Sequence, residues 1–152
     1  MQMTSHFVGT RTRPYETTVT WRHAMNFAAS VADNNAWYLD DERPGGIIAP
    51  PMIATSLTWP ISLNIGEYLI AEDFPAHLNV NQVHYTETLE WHKPIVPGER
   101  LRIEGELMAL LNHPGGTHMV MRYDAFDSQG ELVFREYTGA LLRGVKNGGP
   151  SK

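Results

Sequence analysis

The sequence predicts an α+β fold in which an antiparallel sheet wraps around one long central helix. The segment from about Pro51 to Ala71 is apolar around most of its helical circumference, and such a helix must be covered by other elements. The residues from Gln82 to Arg143 instead alternate between apolar and polar types and are interrupted by turn sequences, as in successive strands. With 152 residues, we expect a single domain over residues 1–152.

The first predicted elements are short. We expect a loose arm over residues 1–13 and a β-branched strand over residues 16–20. Thr20 is a suitable N-cap, because its hydroxyl can accept a hydrogen bond from a free amide of the first helical turn. The helix that follows has an apolar stripe at three- and four-residue spacing, formed by Trp21, Ala24, Met25, Ala28, Val31 and Ala32. Asp33-Asn34-Asn35 ends this helix, because these side chains compete for backbone hydrogen bonds.

The central helix follows an acidic and glycine-rich loop over residues 39–46, which we expect to be mobile. The apolar residues of the helix are Met52, Ile53, Ala54, Leu57, Trp59, Ile61, Leu63, Ile65 and Leu69. Pro60 has no N–H group and should kink or divide the helix near Thr58. Prolines and Glu67 interrupt the segment, so we interpret it as a buried helix and not as a membrane span.

Four long strands joined by hairpins are predicted after Pro75. In the first of them, one face holds Val83, Tyr85, Glu87, Leu89 and Trp91. Pro97-Gly98 forms a turn, and residues 113–116 and 127–130 form two hairpin tips. The last strand runs from about Leu132 to Arg143, and residues 144–152 are predicted to be a flexible tail.

Charge and composition exclude several function classes. The formal charge is −5, without the concentrated basic surface that a nucleic-acid partner requires. Charged residues make up 19%, below the ~25% usual for soluble domains, which favours a surface partly covered by another subunit. The chain has no cysteine, so disulfides and thiolate nucleophiles are excluded.

Metal and membrane sites are not expected either. The seven histidines include no pair at the spacing of a helical metal site, and we expect neither a metal nor a cofactor. Residues 1–15 lack the apolar core of a signal peptide, and we expect a cytoplasmic protein without a membrane partner.

Two sequence motifs carry a resemblance to a known family. The first is Ala32-Asp33-Asn34-Asn35-Ala36-Trp37-Tyr38, followed by Ala49-Pro50-Pro51, and the second is the segment from Glu90 to Glu99, EWHKPIVPGE. In this order and spacing they resemble the MaoC-like dehydratases, which have the hot-dog fold. That family includes (R)-specific enoyl-CoA hydratases and 3-hydroxyacyl-thioester dehydratases. The resemblance extends from about Tyr15 to Arg143 and implies a hot-dog fold for this chain.

The resemblance also shows where this chain departs from active members of the family. Their strip reads Gly-Asp-x-Asn-Pro-(apolar)-His, so Asp33 matches the catalytic acid and Asn35 the asparagine. Ala36 stands in place of the proline and Tyr38 in place of the histidine. Active members next have a His-Gly pair whose glycine amide polarises the thioester carbonyl. Here Pro50-Pro51 occupies that place, and proline has no amide to donate.

These departures resemble the non-catalytic half of the family, namely the N-terminal repeats of double hot-dog proteins and the substrate-binding subunits of heterodimeric dehydratases. The resemblance implies a subunit that forms the acyl-binding tunnel for an acyl-CoA or acyl-carrier-protein thioester. It would form a homodimer or pair with a histidine-containing hot-dog subunit. Two alternatives stay open: an independent lyase that uses Asp33 and Tyr38, and a non-enzymatic protein that binds acyl thioesters.

The candidate site follows from the same strip. The expected catalytic residues are Asp33 and Tyr38, although Asp33 is also suited to a turn and Tyr38 to packing. A phenol can donate a proton, but unlike imidazole it does not change charge near neutral pH. The Met52 amide is available as a replacement carbonyl donor. The expected substrate-binding residues are Asn35, Trp37, Pro51, Met52 and Trp59, and Met119 and Met121 are expected in the core or tunnel wall.

Overall fold

A computed structural model describes residues 2–148 and confirms the α+β architecture. The strands in this range are β1 (Gln2–Thr4), β2 (Tyr15–Thr18), β3 (Gln82–Trp91), β4 (Arg100–His113), β5 (Gly116–Phe126), β6 (Leu132–Arg143) and β7 (Lys146–Gly148). The α-helices are α1 (Trp21–Ser30), α2 (Ala36–Leu39), α3 (Ile53–Leu63) and α4 (Ile65–Tyr68). Short 3₁₀ helices cover Ser5–Phe7 and Ala76–Asn81. None of the helices between residues 2 and 148 is both long and apolar enough to cross a membrane.

The main sheet has five antiparallel strands in the order β2-β4-β5-β6-β3. The hairpin tips predicted at residues 113–116 and 127–130 are confirmed, and they join β4 to β5 and β5 to β6. The prediction that β3 and β4 form a hairpin is wrong. Two strands lie between them in the sheet, so residues 92–99 cross from one part of the sheet to another.

The predicted start of α1 is confirmed, because the Thr20 side chain accepts a hydrogen bond from the His23 amide at 3.2 Å. Its buried face is narrower than the predicted stripe. Ala24 and Ala28 are buried, whereas Trp21 and Val31 are exposed. The stripe therefore leaves two large apolar side chains on the surface.

The central helix differs from the prediction in where it breaks. Pro60 lies inside α3, and the helix continues to Leu63. The interruption comes at Asn64, whose backbone amide and side-chain Nδ2 both donate to the Pro60 carbonyl, Nδ2 at 3.0 Å. The backbone of Asn64 leaves the helical conformation, with φ −111° and ψ 36°, and this separates α3 from α4.

The central helix is also not buried on all sides. Ile53, Ala54, Thr58 and Ile61 are between 0 and 3% exposed and face the sheet. Met52, Trp59 and Leu63 are 52, 45 and 58% exposed. The central helix therefore has apolar side chains on two faces, and only one of these faces is buried within this chain.

A β-bulge in β3 overturns the predicted face of that strand. His84 pairs with Ala140 and Thr86 with Gly139, so Tyr85 is an additional residue and the alternation changes face. Glu87 lies on the helix side together with His84, and Tyr85 instead contacts the rings of His113 and His118 on the opposite side. A bulge cannot be predicted from alternation alone, because it adds a residue without changing the apolar content.

The predicted loose arm over residues 1–13 is wrong for the described part of that range. β1 pairs in parallel with β7, and Met3 and Phe7 are 1% and 4% exposed. The Gly9 and Thr12 amides donate to carbonyls of β4. These buried side chains and backbone bonds hold the arm in place.

The predicted tail over residues 144–152 is wrong for residues 144–148, which contain β7 and the buried Val145. Residues 149–152 lie outside the described residues.

Candidate functional site

Local hydrogen bonds to backbone groups fix the conformation of the strip at residues 33–38. Ala32 has a φ of 55°, which ends α1 in a left-handed turn, and the Asp33 amide donates to the Ala28 carbonyl at 2.9 Å. Asp33 Oδ1 then accepts from the Asn35 amide at 3.1 Å, and Asn35 Oδ1 accepts from the Trp37 amide at 3.0 Å. Asn35 is therefore the N-cap of α2, and one oxygen of Asp33 supports the turn before it.

The helix-entry segment, residues 47–52, lies beside this strip as the sequence predicts. The Ile48 amide donates to the Trp37 carbonyl at 2.9 Å, and the Ala49 amide donates to Ile95 at 2.8 Å. The second bond joins the helix-entry segment to the EWHKPIVPGE segment. The structure therefore brings both family motifs together.

The prolines of the helix-entry segment contribute only acceptors. The Pro50 and Pro51 carbonyls accept from the amides of Ile53 and Ala54. The Met52 amide is the first backbone donor after the two prolines.

The side chains of the strip lie on an open surface. Trp37 of the strip and Met52 of the helix-entry segment are each 52% exposed, and the Arg43 guanidinium lies 3.5 Å from the centre of the Trp37 ring. Asp33 and Tyr38 are partly buried. Within residues 2–148, Asp33 Oδ2 and the Tyr38 hydroxyl have no hydrogen-bond partner. Catalytic roles for Asp33 and Tyr38 stay a prediction.

A more enclosed cavity lies elsewhere, between the central helix and the helix-facing side of β3, β5 and β6. It is lined by Trp59, Ser62, Ile65, Gln82, His84, Met119, Met121, Tyr123, Thr138, Gly139 and Ala140. Among the predicted substrate-binding residues, Trp59 lines this cavity, and the expected position of Met119 and Met121 in a tunnel wall fits it. Asn35, Trp37, Pro51 and Met52 belong to the strip and the helix-entry segment instead. The Tyr123 and Ser62 hydroxyls are hydrogen-bonded at 2.9 Å, and burial raises the pKa of Tyr123.

Three polar side chains, His84, Glu87 and Glu136, form a row that begins at the cavity wall; we call it the polar row. His84 Nε2 lies 2.9 Å from Glu87 Oε2. Glu136 is fully buried behind Glu87, and burial raises its pKa to about 8. Burial also raises the pKa of Glu87, which is only partly offset by interactions with Glu136 and Thr138.

Sequence reasoning missed the polar row, although one signal for it was present. In β6, Phe134, Glu136, Thr138 and Ala140 occupy alternate positions, so a glutamate stands in an otherwise apolar or small series. A charged residue in an inward series is rare unless it is paired or functional. His84 and Glu87 carried no such signal, because only the bulge brings them to the same face.

A five-stranded antiparallel sheet packed against a central helix, with an Asp-x-Asn strip beside the helix entry, defines a hot-dog domain of the MaoC-like type. More particularly, the chain belongs to the FAS1-like dehydratase domain region family, whose family profile matches residues 6–136.

A curated relative and two solved structures are also similar to this chain. A UPF0336 protein of Streptomyces griseus is 28% identical and aligns with 96% of this chain and 99% of its own length. The HadBC (3R-hydroxyacyl-ACP dehydratase) complex of Mycobacterium tuberculosis is similar in structure, with a TM-score of 0.75, 20% identity, and coverage of 89% of this chain and 96% of that chain. The R-hydratase PhaJ1 of Pseudomonas aeruginosa has a TM-score of 0.65, with 22% identity over 88% of this chain and 80% of that chain. The predicted hot-dog fold is confirmed.

Proposed function

We propose that this chain is the substrate-binding subunit of an (R)-specific enoyl-thioester hydratase or 3-hydroxyacyl-thioester dehydratase. It would hold the acyl group of an acyl-CoA or acyl-carrier-protein thioester beside a catalytic hot-dog chain. The observation that carries the proposal is Tyr38, which stands where active members of the family have a histidine. The similar HadBC structure is, by its description, a dehydratase complex.

The reaction requires groups that this chain supplies only in part. Hydration of an α,β-unsaturated thioester needs a base for water, a proton source for the α-carbon and a donor to the thioester oxygen. Asp33 can orient water through its free oxygen, and the Met52 amide is available to the thioester oxygen. Imidazole would have to come from the partner chain.

The exposed face of the central helix supports a partner. Trp59 and Leu63 of the central helix, and Met52 just before it, are about half exposed. The exposed Trp37 belongs to the strip, which is hydrogen-bonded to the helix-entry segment. Within residues 2–148 the outer edge of β3 also has no neighbouring strand. Clustered apolar side chains and an open strand edge are both features that subunit contacts cover.

The decisive experiment compares crotonyl-CoA hydration by the purified chain alone with hydration after co-expression with a histidine-containing hot-dog partner, such as the product of a neighbouring gene. We expect activity only in the mixed complex. Leu63→Asp should abolish the complex, whereas Leu111→Asp, which changes a leucine of similar exposure on β4, should leave it intact. Hydration by the chain alone would overturn the proposal.

An independent lyase is the second candidate, because Asp33 Oδ2 and the Tyr38 hydroxyl are both without protein partners in the described residues. In that case Asp33 would act on water and Tyr38 would donate the proton. Activity of the chain alone that is lost in Tyr38→Phe would establish it. Binding of acyl-CoA without activity in any mixture would instead indicate a non-enzymatic acyl-thioester-binding protein.

A further inference from the structure

Four buried oxygen atoms between the central helix and the sheet have no hydrogen-bond partner within residues 2–148. They are both carboxyl oxygens of Glu136, Oε1 of Glu87 and the hydroxyl oxygen of Thr55. Glu136 as a whole is 0% exposed. Buried polar groups without partners oppose folding, and a hydrophobic residue of similar volume would be more stable in the place of Glu136. Hydrogen bonds within the described part of the chain therefore do not explain why these oxygens are buried together.

The four oxygens come from three elements that face one another. Thr55 and its neighbour Thr58 lie on α3, Glu87 lies on β3, and Glu136 lies on β6. Thr55, Thr58 and Glu87 all face the Glu136 carboxyl group, but none of them lies at hydrogen-bond distance from its oxygens. A bound cation arranges oxygen ligands in this way, because each oxygen contacts the ion and not its neighbours.

The chain balances the charge of the polar row only in part. His84 Nε2 lies 2.9 Å from Glu87 Oε2, and this is the only ion pair that either glutamate forms within residues 2–148. A buried carboxylate without a counter-charge is strongly disfavoured, so Glu136 must either take up a proton or pair with a cation. Burial raises the pKa of Glu136 to about 8, and a proton therefore occupies the carboxyl group when no cation is bound.

The composition of the cluster limits the kind of cation that fits it. Within residues 2–148 no three histidine, aspartate or glutamate side chains come together as a metal-binding group. Divalent ions are typically held by several carboxylates or by histidine and cysteine. Here one of the two carboxylates already faces His84, and the remaining groups are hydroxyls. The cluster therefore carries the charge to balance one monovalent ion.

The cavity beside the central helix connects this cluster to its surroundings. Thr138 lines the cavity, and its side chain also lies beside the Glu87 carboxyl group. The cavity has about 50 Å³ of space for water-sized molecules. At ~10–15 Å³ for each water, this admits a small ion with part of its hydration shell but excludes a large organic cation. The His84 side chain is 42% exposed, so the polar row can be reached from solvent.

We propose that Glu87 and Glu136, together with the hydroxyl groups of Thr55 and Thr58, bind a monovalent cation such as sodium, potassium or ammonium. The ion is held by groups on α3, β3 and β6, and it therefore fixes the central helix against the sheet. It takes no part in the proposed reaction, so the inference does not depend on the proposed function. The expectation that the chain binds no metal rested on histidine spacing, which carries no information about these two glutamates.

The test compares thermal unfolding of the full chain in sodium, potassium and ammonium chloride with unfolding in choline chloride at the same ionic strength. Choline is too large for the cavity and therefore controls for charge screening. A pH of about 8.5 is suitable, because a proton then competes less for Glu136. At a concentration about tenfold above its Kd, the bound cation should raise the midpoint of unfolding by roughly 3–6 °C.

Variants of the two glutamates separate binding at this cluster from a general effect of salt. Glu136→Gln keeps the side-chain volume but removes the charge and should abolish the shift, and Glu87→Gln should reduce it. Glu72→Gln is the matched control at an exposed position and should keep the shift. Hydrogen exchange of the α3 amides should also slow in the effective salt, in the wild type but not in Glu136→Gln.

Equal midpoints in all the salts would overturn the inference, as would a shift that survives in Glu136→Gln. A response to magnesium or calcium chloride without a response to any monovalent salt would also contradict it. The test uses no acyl thioester, so crotonyl-CoA hydration by the mixed complex decides the proposed function separately.

Discussion

The strip at residues 33–38 and the cavity behind the central helix use polar side chains in opposite ways. In the strip, Asp33 and Asn35 accept hydrogen bonds from nearby backbone amides, and the neighbouring Trp37 is half exposed. Behind the cavity wall, burial raises the pKa of both Glu87 and Glu136. Thr55, Thr58 and Glu87 face the Glu136 carboxyl group, but within residues 2–148 none of them lies at hydrogen-bond distance from its oxygens. The polar residues of the strip are therefore explained by local backbone hydrogen bonds, whereas the burial of Glu136 is not explained by any hydrogen bond within residues 2–148.

This difference shows that the residues of a family motif need not be the buried polar groups that lack hydrogen-bond partners. The strip keeps the acid and the amide of the motif that it resembles, and both residues form the turn that leads into α2. Groups whose pKa values are raised by burial lie instead behind the cavity wall, and groups with shifted pKa values are common at functional sites. Mutations in the cavity should therefore mainly change stability, whereas mutations in the strip should mainly change substrate handling.

The largest expected effect is on the free energy of unfolding, in a comparison of two methionines. Met121 lines the cavity and is 3% exposed, whereas Met52 beside the strip is 52% exposed. We expect Met121→Ala to lower the free energy of unfolding by about 2–5 kcal/mol, because it enlarges a cavity in the core. Met52→Ala should change it by about 0.5 kcal/mol or less. Urea denaturation of both variants tests this, and equal losses would contradict the contrast.

A pH-dependent effect should follow from Glu136. Its pKa is raised from 4.5 to about 8, so the folded state binds more protons than the unfolded state between these values, and stability falls as the pH rises through this range. Glu136→Gln cannot ionise and should therefore become more stable relative to the wild type as the pH rises. The full difference should be a few kcal/mol, at roughly 1.4 kcal/mol for each unit of pKa shift.

Urea midpoints between pH 5 and 9 measure this difference, with Glu72→Gln as a control at an exposed position. A Glu136→Gln curve that stays parallel to the wild type would show that Glu136 is ionised in the folded protein.

A smaller change in the free energy of unfolding is expected from a substitution in the strip. Asp33→Ala removes the acceptor of the Asn35 amide and should lower the free energy of unfolding by about 1 kcal/mol, with the fold intact. Substrate handling should still be impaired, because the second oxygen of Asp33 is free. Asn34→Ala lies in the same turn at an exposed position and serves as the control. Thermal denaturation and acyl-CoA binding measure the two effects, and unchanged binding would restrict Asp33 to the turn.

Much of the fold was predictable because local chemistry and apolar periodicity agree over long segments. The Thr20 cap, the two hairpin tips and the central helix all follow from patterns that need no tertiary information. The ordered arm was not predictable, because its order comes from two buried side chains and from pairing with β7, far away in the sequence.

The candidate site was predictable only where it coincides with a motif. The strip and the helix-entry segment were found from their sequence and do lie together. The polar row depends on the bulge at Tyr85, which reverses the face of residues before it, and on β6 as the neighbour of β3. Both are properties of strand pairing, which a single sequence does not reveal.

We propose that this chain binds the substrate and that the partner chain is catalytic. The most direct test is the hydration rate of the mixed complex when this chain carries Tyr38→Phe. If a partner histidine performs the proton transfers, the loss of one phenol hydroxyl on this chain should leave the rate of crotonyl-CoA hydration within a few-fold of the wild type. A general acid or base typically contributes ~10²–10⁴-fold to the rate. A loss of about a hundredfold would contradict the substrate-binding role and establish Asp33 and Tyr38 as the catalytic pair.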